Sequence, residues 1–193
     1  MKLQGNEDLR VRKTITAIRA AFEDMICEMD YSKMTVRKLC DRALINKKTF
    51  YRYYPTMDNL LMEYQAEMSE EYIALTRDLR VPEDCEQIVR TFCLYSAAQG
   101  EAYQRITCSP ECERIREQMI GRVLSGRRES EALDRAGTGE RAMYLAFVRN
   151  ISLVVYRQWI ADGRPTSPER MADVCCELAC RGSEGFIGRF CRG

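Results

Sequence analysis

The residues of this chain best suited to chemistry lie in one run, Asn46-Lys47-Lys48-Thr49-Phe50-Tyr51-Arg52-Tyr53-Tyr54. At helical spacing, Lys47, Lys48 and Arg52 can reach phosphates or guanine edges. Thr49, Tyr51 and Tyr53 offer hydroxyls to phosphates, and the tyrosine rings offer apolar faces to thymine methyls. Asn46 is a good N-cap for the segment. Phe50 is its inward anchor. The chemistry on offer is recognition of a polyanion with readable edges, not the making or breaking of bonds.

The rest of the composition fits that reading. The chain has no histidine, which removes histidine-dependent catalysis and Cys/His zinc sites. The many Asp and Glu residues lie mostly on charged helix faces beside Arg or Lys, and no glycine-rich phosphate loop is present. No catalytic site, cofactor or metal site is expected. The net charge is +1. Residues 1–60 hold twelve Lys and Arg against eight Asp and Glu, a balance of +4, and the remainder holds eighteen against twenty-one, a balance of −3. A basic N-terminal part on an acidic body fits a nucleic-acid-binding head.

The ten cysteines read chiefly as small buried hydrophobes, since several fall at apolar positions of helical patterns. Cys108 and Cys112, and the group Cys175, Cys176 and Cys180, leave open a thiol-based redox or soft-metal sensor. Met1 to Arg10 is polar, so no secretory signal is expected. No apolar run reaches the ~20 residues that span a membrane. A cytoplasmic protein with no membrane partner is expected.

The elements that must position the basic run are helices. Periodicity is helical throughout, without sustained strand alternation. Ile15, Ile18, Phe22, Met25, Ile26 and Met29 form one stripe. Thr35 can cap a short helix with Val36, Leu39, Cys40 and Ala43 facing inward, and Leu44-Ile45 turns the chain. Pro55 stops the helix begun at Asn46. Thr56 caps a long helix with Leu60, Leu61, Tyr64, Met68, Leu75 and Leu79 along its face. Pro82 is expected in the first turn of a further helix. Ser109-Pro110-Glu111 and Ser167-Pro168-Glu169 each read as N-cap, N1 proline and acidic first turn. Residues 141–161 are apolar on more than one face and must be covered on several sides.

Two short helices joined by a tight turn, after a longer helix, form the layout of a DNA-binding helix-turn-helix. The run Thr35-Val36-Arg37-Lys38-Leu39 to Ala43, then Ile45 to Tyr54, then Asn59-Leu60-Leu61, closely resembles the helix-turn-helix of the TetR/AcrR regulators over about residues 10–62. That resemblance implies an all-α protomer of about nine helices. A three-helix head, residues 1–55, would bind operator DNA, and a C-terminal domain, residues 56–193, would bind a ligand and dimerise. Carried over by position, Thr35, Arg37, Lys47, Lys48, Thr49, Tyr51, Arg52 and Tyr53 match DNA contacts. Asn46 joins them as the residue that starts the recognition helix. The chain departs from the pattern at Leu44, where a glycine is usual, and at Met57, where a lysine usually meets phosphate.

The expected function is that of a homodimeric, sequence-specific transcriptional regulator, a repressor released from double-stranded operator DNA by a small-molecule effector. Phe92, Tyr95, Tyr103, Tyr144, Phe147, Tyr156 and Trp159 are candidates to line the effector pocket. Phe147, Ile151, Val155, Met171, Val174 and Leu178 are candidates for the dimer interface. Two alternatives stay open: a co-regulator whose body binds a protein partner, and the cysteine-based sensor.

Overall fold

The structure is a computed structural model that describes residues 9–118 and 133–188. It contains helices α1 (Leu9–Glu28), α2 (Val36–Arg42), α3 (Lys47–Tyr53), α4 (Met57–Thr76), α5 (Cys85–Ala98), α6 (Glu101–Cys108), α7 (Thr138–Ala161) and α8 (Pro168–Phe186). Short 3-10 turns lie at Tyr31–Lys33, Pro110–Cys112 and Leu133–Arg135. There is no strand among the described residues. The fold is all-α, as the periodicity implies. No helix among them is long and apolar enough to cross a membrane.

The chain divides into two compact units. The first takes residues up to Ser69 and adds a later stretch that begins at Gly100 and carries α6. Its core is assembled from Ile18, Phe22, Met25 and Ile26 of α1, Leu39 and Cys40 of α2, Phe50 of α3, and Leu60 and Leu61 of α4. Ala102 and Ile106 of α6 and Ile115 complete it. Burial of side chains of this size stabilises by about 1.5–3 kcal/mol each. Met57, the departure from the lysine pattern, packs against the edge of this core.

Three polar links tighten the first unit. Arg19 donates to Glu63 at 2.6 Å and to Glu67 at 2.5 Å. Tyr31 donates to Asp58 at 2.7 Å, and Arg114 reaches the other oxygen of Asp58 at 2.5 Å. Arg116 is buried, and its Nη1 donates to the carbonyls of Ile106, Thr107 and Ser109 at 3.2, 3.0 and 3.1 Å. The Ile106 carbonyl lies at the end of α6, where Pro110 four residues on has no N–H to give it, while the Ser109 carbonyl also accepts from Cys112 N–H at 3.3 Å.

The second unit packs α5 against α8 and α7. Ile88, Val89 and Cys93 face Met171, Ala172, Cys175, Cys176 and Ala179 within its core, and Tyr144 and Tyr156 are buried there too. Gly163 (φ 76) ends α7 in the left-handed region that favours glycine.

Two local expectations change. Leu75 is exposed and α4 stops at Thr76, so Leu79 lies beyond it. The inward face of α4 carries Gln65, Ser69 and Thr76 instead. An apolar stripe drawn from leucines alone drifts off the true face, because buried polar residues take their turns on it. Pro82 precedes α5, whose first helical residue is Cys85 after Asp84.

Candidate nucleic-acid interface

The geometry of α3 is fixed at both ends by local bonds. Thr35 Oγ1 accepts from Lys38 N–H at 3.2 Å and starts α2. At the far end of α2, Ile45 N–H donates to Cys40 O at 3.0 Å. This six-to-one closure requires a left-handed residue just before Ile45, and Leu44 supplies it with φ 55. Asn46 Oδ1 then accepts from Thr49 N–H at 2.8 Å and from the Thr49 hydroxyl at 3.0 Å. Such a cap contributes about 1 kcal/mol.

Phe50 pins α3 from beneath. It is fully buried, with the Tyr51 ring edge-on at 5.5 Å and the Tyr54 ring at 5.8 Å. Tyr54 is buried as well and donates to Glu63 at 2.9 Å. Burial raises its pKa above the ordinary phenol value, so the hydroxyl stays a donor.

The opposite face of α3 points to solvent. Lys47, Lys48, Tyr51 and Arg52 are exposed, and Thr49 and Tyr53 are half-buried. Among the described residues, Lys47, Lys48 and Arg52 form no ion pair. The surrounding cations do: Arg42 with Glu28, Lys33 with Asp30, and Arg19 with Glu63. Arg37 is exposed on α2 and stands 3.9 Å from Asp41. Thr35 and Asn46 are exposed, with their side-chain oxygens engaged as caps. The result is a rigid short helix carrying an uncompensated basic tip.

The pocket candidates fall in two places. Tyr103 belongs to the first unit. In the second, Phe92 stands edge-on to Tyr156 at 6.2 Å, and Tyr156 lies 6.3 Å from Trp159. Tyr72, missed in the sequence because it sits off the leucine stripe of α4, meets both Phe92 at 5.8 Å and Tyr95 at 6.0 Å. Three polar tips of this set bond within the unit. Tyr156 donates to Ser96 O at 3.1 Å, Tyr144 to Ser183 Oγ at 3.1 Å, and Trp159 Nε1 to Thr166 O at 3.0 Å.

The interface candidates also divide. Phe147, Val174 and Leu178 are exposed, and Ile151 and Val155 are half-buried. Met171 turns inward and is buried within its own protomer. Phe147 lies so close to Gly182 that an added Cβ there would come within 2.9 Å of the ring. Met143 and Val154 extend the exposed apolar set.

The thiols of the described residues are mostly buried, among them Cys40, Cys93, Cys112, Cys175 and Cys176. Cys176 and Cys180 are each pushed up to about 11, chiefly by burial. No group of three or more ligating side chains that could hold a metal ion occurs among the described residues.

An all-α chain whose first three helices end in a capped, basic helix-turn-helix has the layout of the DNA-binding regulators. Residues 18–64 match the family described as bacterial regulatory proteins, tetR family. That segment is similar to the N-terminal helix-turn-helix of the tetR family of transcription regulators. No curated protein sequence matches it. Among solved structures it is similar to NalD, the secondary repressor of the MexAB-OprM multidrug efflux pump in Pseudomonas aeruginosa. The TM-score is 0.62 at 19% identity, covering 91% of this chain and 98% of that one. The fatty acid degradation regulator FadR from Bacillus halodurans follows at TM-score 0.55 and 15% identity, covering 91% and 96%. A TetR-family protein described as a transcriptional regulator from Vibrio parahaemolyticus gives 0.53 at 17%, covering 88% and 97%. These likenesses extend the shared fold over nearly the whole chain.

Proposed function

We propose that this chain is a homodimeric, sequence-specific repressor, released from its operator by a small-molecule effector. The observation that carries the reading is the outward face of α3. Lys47, Lys48, Tyr51 and Arg52 stand exposed on a helix locked by the Asn46 cap and the buried Phe50. Those side chains, with Thr49 and Tyr53, read and grip the major groove. Thr35 and Arg37 meet the flanking phosphates.

The head is residues 1–55, and residues 56–193 regulate and dimerise. Exposed Phe147, Val174 and Leu178, with Ile151 and Val155 beside them, support a second copy as the cover of this apolar face. A dimer sets two copies of α3 at successive half-sites, ~34 Å apart or a multiple of that. Phe92 and Tyr95, joined by Tyr72, support an aromatic or apolar effector. Effector binding shifts the population toward a state whose heads no longer match the half-sites. The protein works in the cytoplasm, where its operator is.

The test is affinity selection of fragmented source-genome DNA on the purified protein at ~0.15 M salt. Enrichment of one or a few inverted repeats is expected. Recovery of random fragments, lost on modest added salt, would overturn the reading.

A further inference from the structure

One residue in the turn before α3 runs against folding in both conformation and exposure. The closure of Ile45 N–H onto Cys40 O places Leu44 at φ 55. Left-handed backbone is strained for any residue with a branched side chain, and glycine fits it freely. Leu44 is also 92% exposed, so no burial within its own protomer offsets that strain. A strained position that also sets an apolar side chain in water points to a partner outside the chain.

The position says which partner. Leu44 lies two residues before the Asn46 cap and leads directly into the exposed Lys47, Lys48 and Tyr51 of α3. The cations suit phosphates and guanine edges. An isobutyl group gains nothing from either. Among base edges in the major groove, the thymine C5-methyl is the apolar feature.

We propose that Leu44 is a specificity-determining residue that packs against a thymine methyl at the edge of the half-site read by α3. The assignment rests on the DNA-binding reading above. It explains why strain persists at a turn that glycine would relieve.

The experiment measures binding of the full-length wild type, Leu44→Gly and Leu44→Met to the operator that the wild type selects. Each is also measured on operators in which one thymine at a time is replaced by deoxyuridine, which lacks only the methyl. At one thymine per half-site, deoxyuridine should weaken the wild type about fourfold, the scale of one buried methyl group. Leu44→Gly should lose a similar factor on the unmodified operator and be indifferent to that deoxyuridine. Leu44→Met should keep both affinity and sensitivity. Leu44→Gly should melt no lower than the wild type, which shows that the turn is intact. Leu44→Gly binding as tightly as the wild type would overturn the proposal. So would a loss that no deoxyuridine position cancels, since that marks a sugar or backbone contact. If the wild type itself selects no sequence, the DNA-binding reading falls and the assignment falls with it. If the wild type selects an operator and Leu44→Gly is unaffected, only the role of Leu44 is removed.

Discussion

Arg19 on α1 meets Glu63 on α4 at 2.6 Å, and the same carboxylate oxygen accepts the hydroxyl of Tyr54 at 2.9 Å. Tyr54 closes α3, so one carboxylate ties three helices around the end of the recognition helix. The two charged side chains are only 21% and 18% exposed, so the pair is partly shielded from water. Glu63→Ala should lower stability by about 1–3 kcal/mol in urea unfolding. It should also weaken operator binding although no DNA-facing residue has changed. Glu63→Gln keeps an acceptor for Tyr54 and should lose less on both counts. Equal losses for the two variants would show that the Tyr54 bond contributes nothing.

Arg116 makes a parallel prediction for the first unit. Its Nη1 serves carbonyls of Ile106, Thr107 and Ser109 in a buried setting. Arg116→Met fills similar space and removes the donor these carbonyls share, leaving Ser109 O its bond from Cys112 N–H, so chemical denaturation should show a loss of about 2–4 kcal/mol. Arg116→Lys should recover part of it. A neutral Arg116→Met would mean that the carbonyls find other donors.

The thiols of the second unit set an alkaline limit. Cys176 and Cys180 are raised to about 11 from an ordinary 9.0, first by burial. The folded state therefore holds protons that the unfolded chain releases. Their contribution is complete below about pH 9 and fades as the pH climbs to about 11. Melting temperature should fall across that window, and the fall should be shallower in a Cys176→Ala, Cys180→Ala double variant. Superimposable curves would remove the thiols as its cause.

The exposed apolar face of the second unit predicts assembly. Leu178 is 52% exposed and Val174 44%. Leu178→Glu should convert a dimer into a monomer in light scattering, with helical content unchanged, and should weaken operator binding at least tenfold through lost bivalency. A dimer that survives Leu178→Glu must use another face.

Much of this architecture is legible in the residues. Thr35, Asn46 and Ser167 announce helix starts because a cap is a local event, and all three cap as their types suggest. Phe50 reads as an anchor because a lone apolar residue in a basic run has one place to go. Leu44 can be marked as strained from its place at the end of α2. Long-range choices are less legible. The inward turn of Gln65, Ser69 and Thr76 on α4 depends on what packs against that helix, which no leucine stripe reveals. The addition of α6 to the first unit is a tertiary decision between segments far apart in sequence. Arg116 looks like a surface cation until the carbonyls at the end of α6 are seen to need it. Met171 and Val174 look alike in a periodic pattern, and only the position of α5 sorts the buried one from the exposed one.

The central claim is that α3 enters the major groove and reads it. Dimethyl sulfate probing of guanine N7 on the selected operator tests this most directly, because N7 lies in that groove and nowhere else. The wild type should protect guanines in two half-sites, ~34 Å apart or a multiple of that. A Lys47→Ala, Lys48→Ala, Arg52→Ala triple variant with unchanged helical content should lose the protection. Guanines that stay reactive under saturating wild type, or that stay protected under the triple variant, would contradict the account.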